Sequence, residues 1–220
     1  MNLIEAMENR HAVRKFRSES IEQSVLTELT EEIARCNQES GLSIQLIIQD
    51  KNTFRGFLPF FAGFRNVSNY LALVGPKDDL SLEKIGYYGQ RIVLKAQQLG
   101  LNSCWAGQTF KRTNCQANIK QNETLACVVA LGYGKTDGKP HQSKPMSELC
   151  STDQAMPAWF EQGMTAAMLA PTANNKQNFF IELKQDEAIF KTEKGTANHV
   201  SLGIVKYQFE LGHRGVNKVL

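Results

Sequence analysis

Arg10 and Arg14 stand four residues apart in the run Arg10-His11-Ala12-Val13-Arg14. On a helical turn that spacing brings two guanidinium groups to one side, where their rigid forks suit a single phosphate. The same pair also suits a solvated basic helix end, where cations complement the macrodipole. A second candidate is Gly132-Tyr133-Gly134 leading into Lys139-Pro140-His141-Gln142-Ser143-Lys144-Pro145, a turn-rich loop that either carries Lys144 to an anion or lies as polar surface. A third, Ala170 to Phe179, holds Asn174, Asn175, Gln177 and Asn178, amides that both donate and accept and so read the polar edge of a heterocycle. Its alternative is a plain helix-to-strand loop. In a fourth, Cys104-Trp105-Ala106-Gly107-Gln108, Gly107 permits a flat ligand to approach the backbone. Cys104 is read as a core thiol, because no partner His or Asn is identifiable and apolar neighbours raise a thiol's pKa.

Helices and strands must position these segments. Asn2-Leu3-Ile4-Glu5 and Ser20-Ile21-Glu22-Gln23 both fit the capping box, so helices are expected to start at each. The second carries Leu26, Leu29 and Ile33 at helical spacing and stops between Asn37 and Gly41. Leu42 to Gln49 and Tyr70 to Val74 read as strands, and Phe54 to Phe64 between them as core-packed aromatics or a lid. Gly86 to Leu99 reads as a helix apolar around much of its circumference, closed by Gly100, and hence buried in a domain or at a dimer interface. Thr124 to Tyr133 reads as a central strand, Trp159 to Leu169 as a helix, Phe179 to Lys184 as a strand and Ser201 to Leu211 as a final helix. The irregular order of elements predicts an α+β architecture with helices around a mostly antiparallel central sheet. An echo of Gln49-Asp50-x-x-x-Phe54 in Gln185-Asp186-x-x-x-Phe190 is close to what chance supplies.

Composition narrows the class. A chain of 220 residues fits one domain, and 42% hydrophobic with 21% charged residues excludes a disordered or fibrous protein. A net charge of +3 with intermixed signs disfavours nucleic acid as a partner. The N-terminal residues lack a leader's basic and apolar regions, and no apolar run reaches the roughly 20 residues of a membrane span. Five cysteines without C-x-x-C spacing read as reduced thiols, so a cytoplasmic protein is expected. The four histidines have no metal-binding spacing, and no metal site is expected.

Taken together, the segments resemble the nitroreductase family. Arg10-His11-Ala12-Val13-Arg14-Lys15-Phe16 is similar to its N-terminal R-x-S-x-R-x-F signature, and Leu94 to Trp105 to its central helix and following turn. Leu131-Gly132-Tyr133 with Lys144-Pro145 is similar to the late G-Y strand and K-x-R phosphate loop, and Pro171 to Phe179 to P-S-x-x-N-x-Q-P-W. Ala12 stands in place of the usual Ser, Lys144 in place of Arg, Asn178 in place of Pro and Phe179 in place of Trp. The last segment lies near the C-terminus instead of after the first helices, as in a rearranged subgroup of the family.

The resemblance implies a nitroreductase-like fold over residues 1–220 that binds FMN. It places Arg10, His11, Arg14 and Lys144 around the FMN phosphate, Gly107 and Gln108 beside the isoalloxazine, and Asn175 and Gln177 at its polar edge. It further implies a homodimer sharing its flavins, with Gly86 to Leu99 as an interface helix. The implied activity is ping-pong reduction of a nitroaromatic, quinone or similar small-molecule acceptor by NAD(P)H, with no side-chain nucleophile. A non-catalytic FMN carrier or sensor and an FMN-free interaction domain are the alternatives.

Overall fold

The first helix forms where the capping box places it. In the computed structural model, which describes residues 1–216, α1 (Leu3–Asn9) begins with Asn2 accepting from Glu5 N–H at 2.9 Å while the Glu5 carboxylate accepts from Asn2 N–H at 3.0 Å. The second box is not realised. α2 (Gln23–Ser40) starts after an extended Glu22 with no side-chain cap, and Ile21 is buried in the core. Keeping residues 20–22 extended seats Ile21, and that burial outweighs one capping bond.

The expected strand Leu42 to Gln49 shrinks to β1 (Gln45–Ile47), because the Asn37 side chain takes up both the N–H and the C=O of Ile44. β2 (Asn69–Pro76), β3 (Asn102–Ala106) and β4 (Glu123–Gly132) complete a four-stranded sheet of order β1-β2-β4-β3, antiparallel throughout. Its two central strands are almost wholly buried, as their continuous apolar runs require. A separate sheet holds β5 (Cys150–Thr152), β6 (Phe179–Lys184) and β7 (Glu187–Thr192), with β5 parallel to β6. The architecture is α+β, as expected, with the strands divided between two sheets.

Four helices remain: α3 (Phe57–Phe61), α4 (Asp79–Gln98), α5 (Ala158–Ala167) and α6 (Thr196–Val216). α4 starts seven residues before the expected Gly86, since Asp78 caps Ser81 N–H at 2.8 Å. It ends as a Schellman motif: Gly100, at φ +81°, donates to Gln97 O, and Leu101 donates to Ala96 O. No residue from Ser81 to Leu99 is exposed, because the helix is covered within its own chain.

Much of that cover is α6, crossing α4 at a pair of glycines. A Cβ on Gly86 would lie 1.9 Å from Val200 O and 2.9 Å from Ile204 N; one on Gly203 would lie 1.9 Å from Glu83 O and 2.8 Å from Tyr87 N. Each glycine thus meets the carbonyl three residues before the other glycine and the amide one residue after it. Such reciprocity is the geometry of a two-fold interface, here inside one chain. The Gln-Asp echo has a shared backbone feature, Gln49 and Gln185 both being left-handed, but its aspartates do unlike work. Asp50 is buried and accepts from Tyr70 Oη at 2.7 Å, whereas Asp186 is exposed and accepts from Gln154.

The aromatic segment divides between its two expected roles. Phe54 and Phe64 pack into the core on one face of the larger sheet, while α3 leaves Phe57 75% and Phe61 70% exposed.

Candidate functional site

The chain leaves α1 at Arg10 in an extended conformation, so the helical turn expected over Arg10 to Arg14 does not form. Val13 and Phe16 are buried beneath the larger sheet, and backbone pairing holds the stretch straight between them. Ala12 bridges Ser103 of β3 in parallel, and Val13 N–H donates to Ser103 O at 2.9 Å. Further along, Phe16 and Arg17 donate to Arg65 O and Tyr133 O, and Arg14 O accepts from Arg65 N–H. Every second or third residue of this strip is pinned.

The two arginines are consequently unequal. Arg10 is 4% exposed, and its Nε and Nη1 have no hydrogen-bond partner; Arg14 is exposed, its stem beside Gly63. Burial pulls the Arg10 guanidinium down to about 10, opposed only by nearby Cys104. That corresponds to roughly 3 kcal/mol against the charged form. Cys104 offers no compensation, since burial pushes its thiol up despite Arg14 and Arg10. Among the described residues, no ion pair includes Arg10, His11, Arg14, His141 or Lys144. A buried cation without a counter-charge is costly in isolation and is a ready receptor for an anion.

The loop after β4 closes over this strip. Gly138, at φ +82°, passes so near that a Cβ there would come within 2.7 Å of His11 Cβ. His11 Nδ1 lies 3.0 Å from Asp137 O; a carbonyl only accepts, so Nδ1 carries the proton. His141 is half-buried with no partner on Nε2, and is held below the usual histidine range by burial, then by the Arg10 guanidinium and neighbouring His11. Lys144 lies on the same loop, and its backbone N–H donates to Gln177 Oε1 at 2.8 Å.

The amide-rich turn grips that loop from its other side. Gln142 O accepts from Asn175 Nδ2 at 2.9 Å and from Gln177 Nε2 at 3.1 Å. Gln177 is buried, and both ends of its amide are spent on the loop. Asn175 and Gln177 therefore position the loop through bonds already made, which differs from the expectation of amides free to address a ring. Asn174, Asn175 and Gln177 all take left-handed φ near +50° to do so.

Arg10, His11, Lys144, Asn175 and Gln177 are thus joined by one chain of contacts, with Arg14 on its solvent side. Gly107 and Gln108 stand apart. They are exposed where β3 ends, four residues or about 13 Å of strand beyond Ser103. No atom lies within 4 Å of where a Gly107 Cβ would sit, so the surface there is open to a flat molecule. Two members were not singled out from the sequence. Ser103, paired beside Ala12, is 1% exposed with an unpartnered Oγ, and its signal is a hydroxyl just before the apolar run Cys104-Trp105-Ala106. His141 sits three residues before Lys144 in the loop already marked by its Gly and Pro residues.

A surface groove between α2 and β1, lined by Leu26, Ile33, Ile44, Leu46 and Ile48, shares none of these residues. Among the described residues no group of His, Cys, Asp or Glu could hold a metal, and no helix is long and apolar enough to cross a membrane.

Residues 2–213 match the family described as "Putative TM nitroreductase". A solved structure from Thermotoga maritima, itself termed a "putative nitroreductase", is 21% identical with a TM-score of 0.74, over 99% of this chain and 86% of that one. A structure of the same description from Desulfovibrio desulfuricans, in complex with FMN, is 13% identical with a TM-score of 0.54, over 71% of this chain and 99% of that one. An FMN-dependent nitroreductase from Clostridium difficile is 16% identical with a TM-score of 0.51, over 63% and 91%. No curated protein matches. The fold is shared with all three, the match to the family spans nearly the whole sequence, and the chain belongs to this nitroreductase family.

Proposed function

We propose that this protein is an FMN-dependent oxidoreductase that takes electrons from NAD(P)H and passes them to a small electron-poor acceptor such as a quinone or nitroaromatic. The observation that carries the reading is the buried, unpartnered Arg10 guanidinium, with Ser103 Oγ and His141 Nε2 also unsatisfied on the strand and the loop packed against the Arg10–Ala12 strip, in a chain of the nitroreductase family. Two donors without acceptors, Arg10 and Ser103, a histidine nitrogen without a partner, and no carboxylate paired to them among the described residues fit a phosphate dianion. Ser103 supplies the hydroxyl that Ala12 lacks at the signature position, from the strand paired beside it.

When bound, FMN would supply the two-electron chemistry, accepting hydride from the nicotinamide and reducing the acceptor in a second, ping-pong half-reaction. The residues supply position and electrostatics. Arg10, His11, Ser103 and His141 would hold the phosphate, Arg14 would add positive charge on the solvent side, and Lys144 would add it from the loop. Asn175 and Gln177 hold that loop. The exposed end of β3 at Gly107 and Gln108 leaves room for a flat ring and for the substrates that stack on it.

The whole chain would act as one FMN-binding unit. Although the resemblance implies a homodimer built on the helix Gly86 to Leu99, that helix is covered by α6 of the same chain through a reciprocal glycine contact. This favours a site completed within one chain. The oxidoreductase reading is tested by mixing the FMN-loaded protein anaerobically with NADH or NADPH. Rapid bleaching of the flavin, reversed by a quinone, is expected; flavin that is held but never reduced identifies a carrier instead.

A further inference from the structure

His141 lies on the loop that closes over the strip bearing Arg10, within electrostatic reach of that buried cation, and its Nε2 has no partner. Its Nε2 is sequestered without a hydrogen bond, and the loop that carries it is locked in place from both sides. On one side His11 Nδ1 bonds Asp137 O, with Gly138 against His11 and Ala12; on the other, Gln177 and Asn175 hold Gln142 and Lys144. The backbone on both sides of His141 is thus fixed against the strip that carries Arg10 and His11.

We propose that His141 is a proton-linked ligand of the FMN phosphate: it is neutral in the free protein, takes up a proton when the phosphate binds, and so ties flavin retention to pH. This rests on the flavin reading above and specifies how that site is regulated.

The charges around His141 set the sign. Burial, then Arg10 and His11 from the strip after α1, hold it below the usual histidine range. Its own loop adds Asp137, Lys139 and Lys144, and the turn packed on the loop presents the amides of Asn175 and Gln177. Cys104, near Arg10, stays a thiol because burial raises it. A phosphate dianion placed among these groups reverses the local field and favours the imidazolium. Binding therefore consumes a proton, and FMN affinity falls as pH rises from the histidine's value in the free protein to its raised value in the complex, by up to about tenfold per pH unit for one proton, and levels off above it. Below about pH 6 the phosphate itself gains a proton and loses charge, so retention is greatest just above that point.

The test is FMN affinity of the apoprotein between pH 7 and 8.5, read from quenching of flavin fluorescence, for wild type, His141→Gln and His11→Gln. Riboflavin serves as the phosphate-free control. Wild type is expected to lose about tenfold or more over this range, His141→Gln less than about threefold, and riboflavin to show no comparable slope. Calorimetry in two buffers of different ionisation enthalpy is expected to record proton uptake with FMN in wild type and none in His141→Gln. An unchanged slope in His141→Gln overturns the proposal, and a slope lost only in His11→Gln overturns it in favour of the neighbouring histidine. Failure of every form to bind FMN at any pH overturns the flavin reading itself and this proposal with it.

Discussion

At the scale of single residues, the account turns on Arg10 being an uncompensated buried cation. A base whose folded value is lowered costs stability wherever it stays protonated, which for Arg10, at about 10, includes neutral pH. Arg10→Leu should therefore leave the apoprotein as stable as wild type or more so by thermal denaturation, while weakening FMN binding by roughly 10- to 100-fold, the loss of charge-assisted bonds. A variant that is strongly destabilised and yet binds FMN normally would show that Arg10 is structural. Arg14→Ala, on the solvent side, should cost less than Arg10→Leu in the same binding assay. Ser103→Ala should weaken FMN binding by about 10-fold or more, the loss of a hydrogen bond to a charged group, and leave riboflavin binding unchanged. An equal loss for both ligands would remove Ser103 from the phosphate contacts. Spacing pointed to Arg10 and Arg14 together, but reading them on a helix hid their inequality, since burial depends on which partner strand the strip pairs with.

At the scale of elements, what the sequence carries is governed by local periodicity and capping. The Asn2 box, the Gly100 terminus, β6 and the apolar runs of β2 and β4 are all legible, because each depends on neighbours a few residues away. The Ser20 box failed and β1 shortened through long-range demands, the burial of Ile21 and the claim of Asn37 on Ile44. β5 and β7 are short or alternate with a half-exposed face, so no apolar run announces them. The site was legible as four segments; that Gln177 clamps the loop was not, because its partners Gln142 and Lys144 lie more than thirty residues away. Gln177→Leu orphans Lys144 N–H and removes a donor from Gln142 O. It should cost about 1–3 kcal/mol in denaturant unfolding and lower FMN affinity without touching the phosphate. Unchanged FMN affinity in a destabilised variant would separate the clamp from the site.

At the scale of the molecule, the α4–α6 crossing does within one chain what a two-fold interface does between two. Gly86→Ala or Gly203→Ala forces a Cβ to within 1.9 Å of a backbone carbonyl, which no rotamer relieves. Each should cost about 3 kcal/mol or more of stability, or prevent folding, read as a fall in melting temperature. A silent Gly86→Ala would mean the helices are not packed this closely. If α6 completes the environment that a partner subunit would otherwise supply, flavin binding needs no second copy. Native mass spectrometry of the FMN-loaded protein tests this most directly. The account predicts a species of one 24.7 kDa chain carrying one FMN; FMN found only on two-chain species, or on none after incubation with excess FMN, would contradict it.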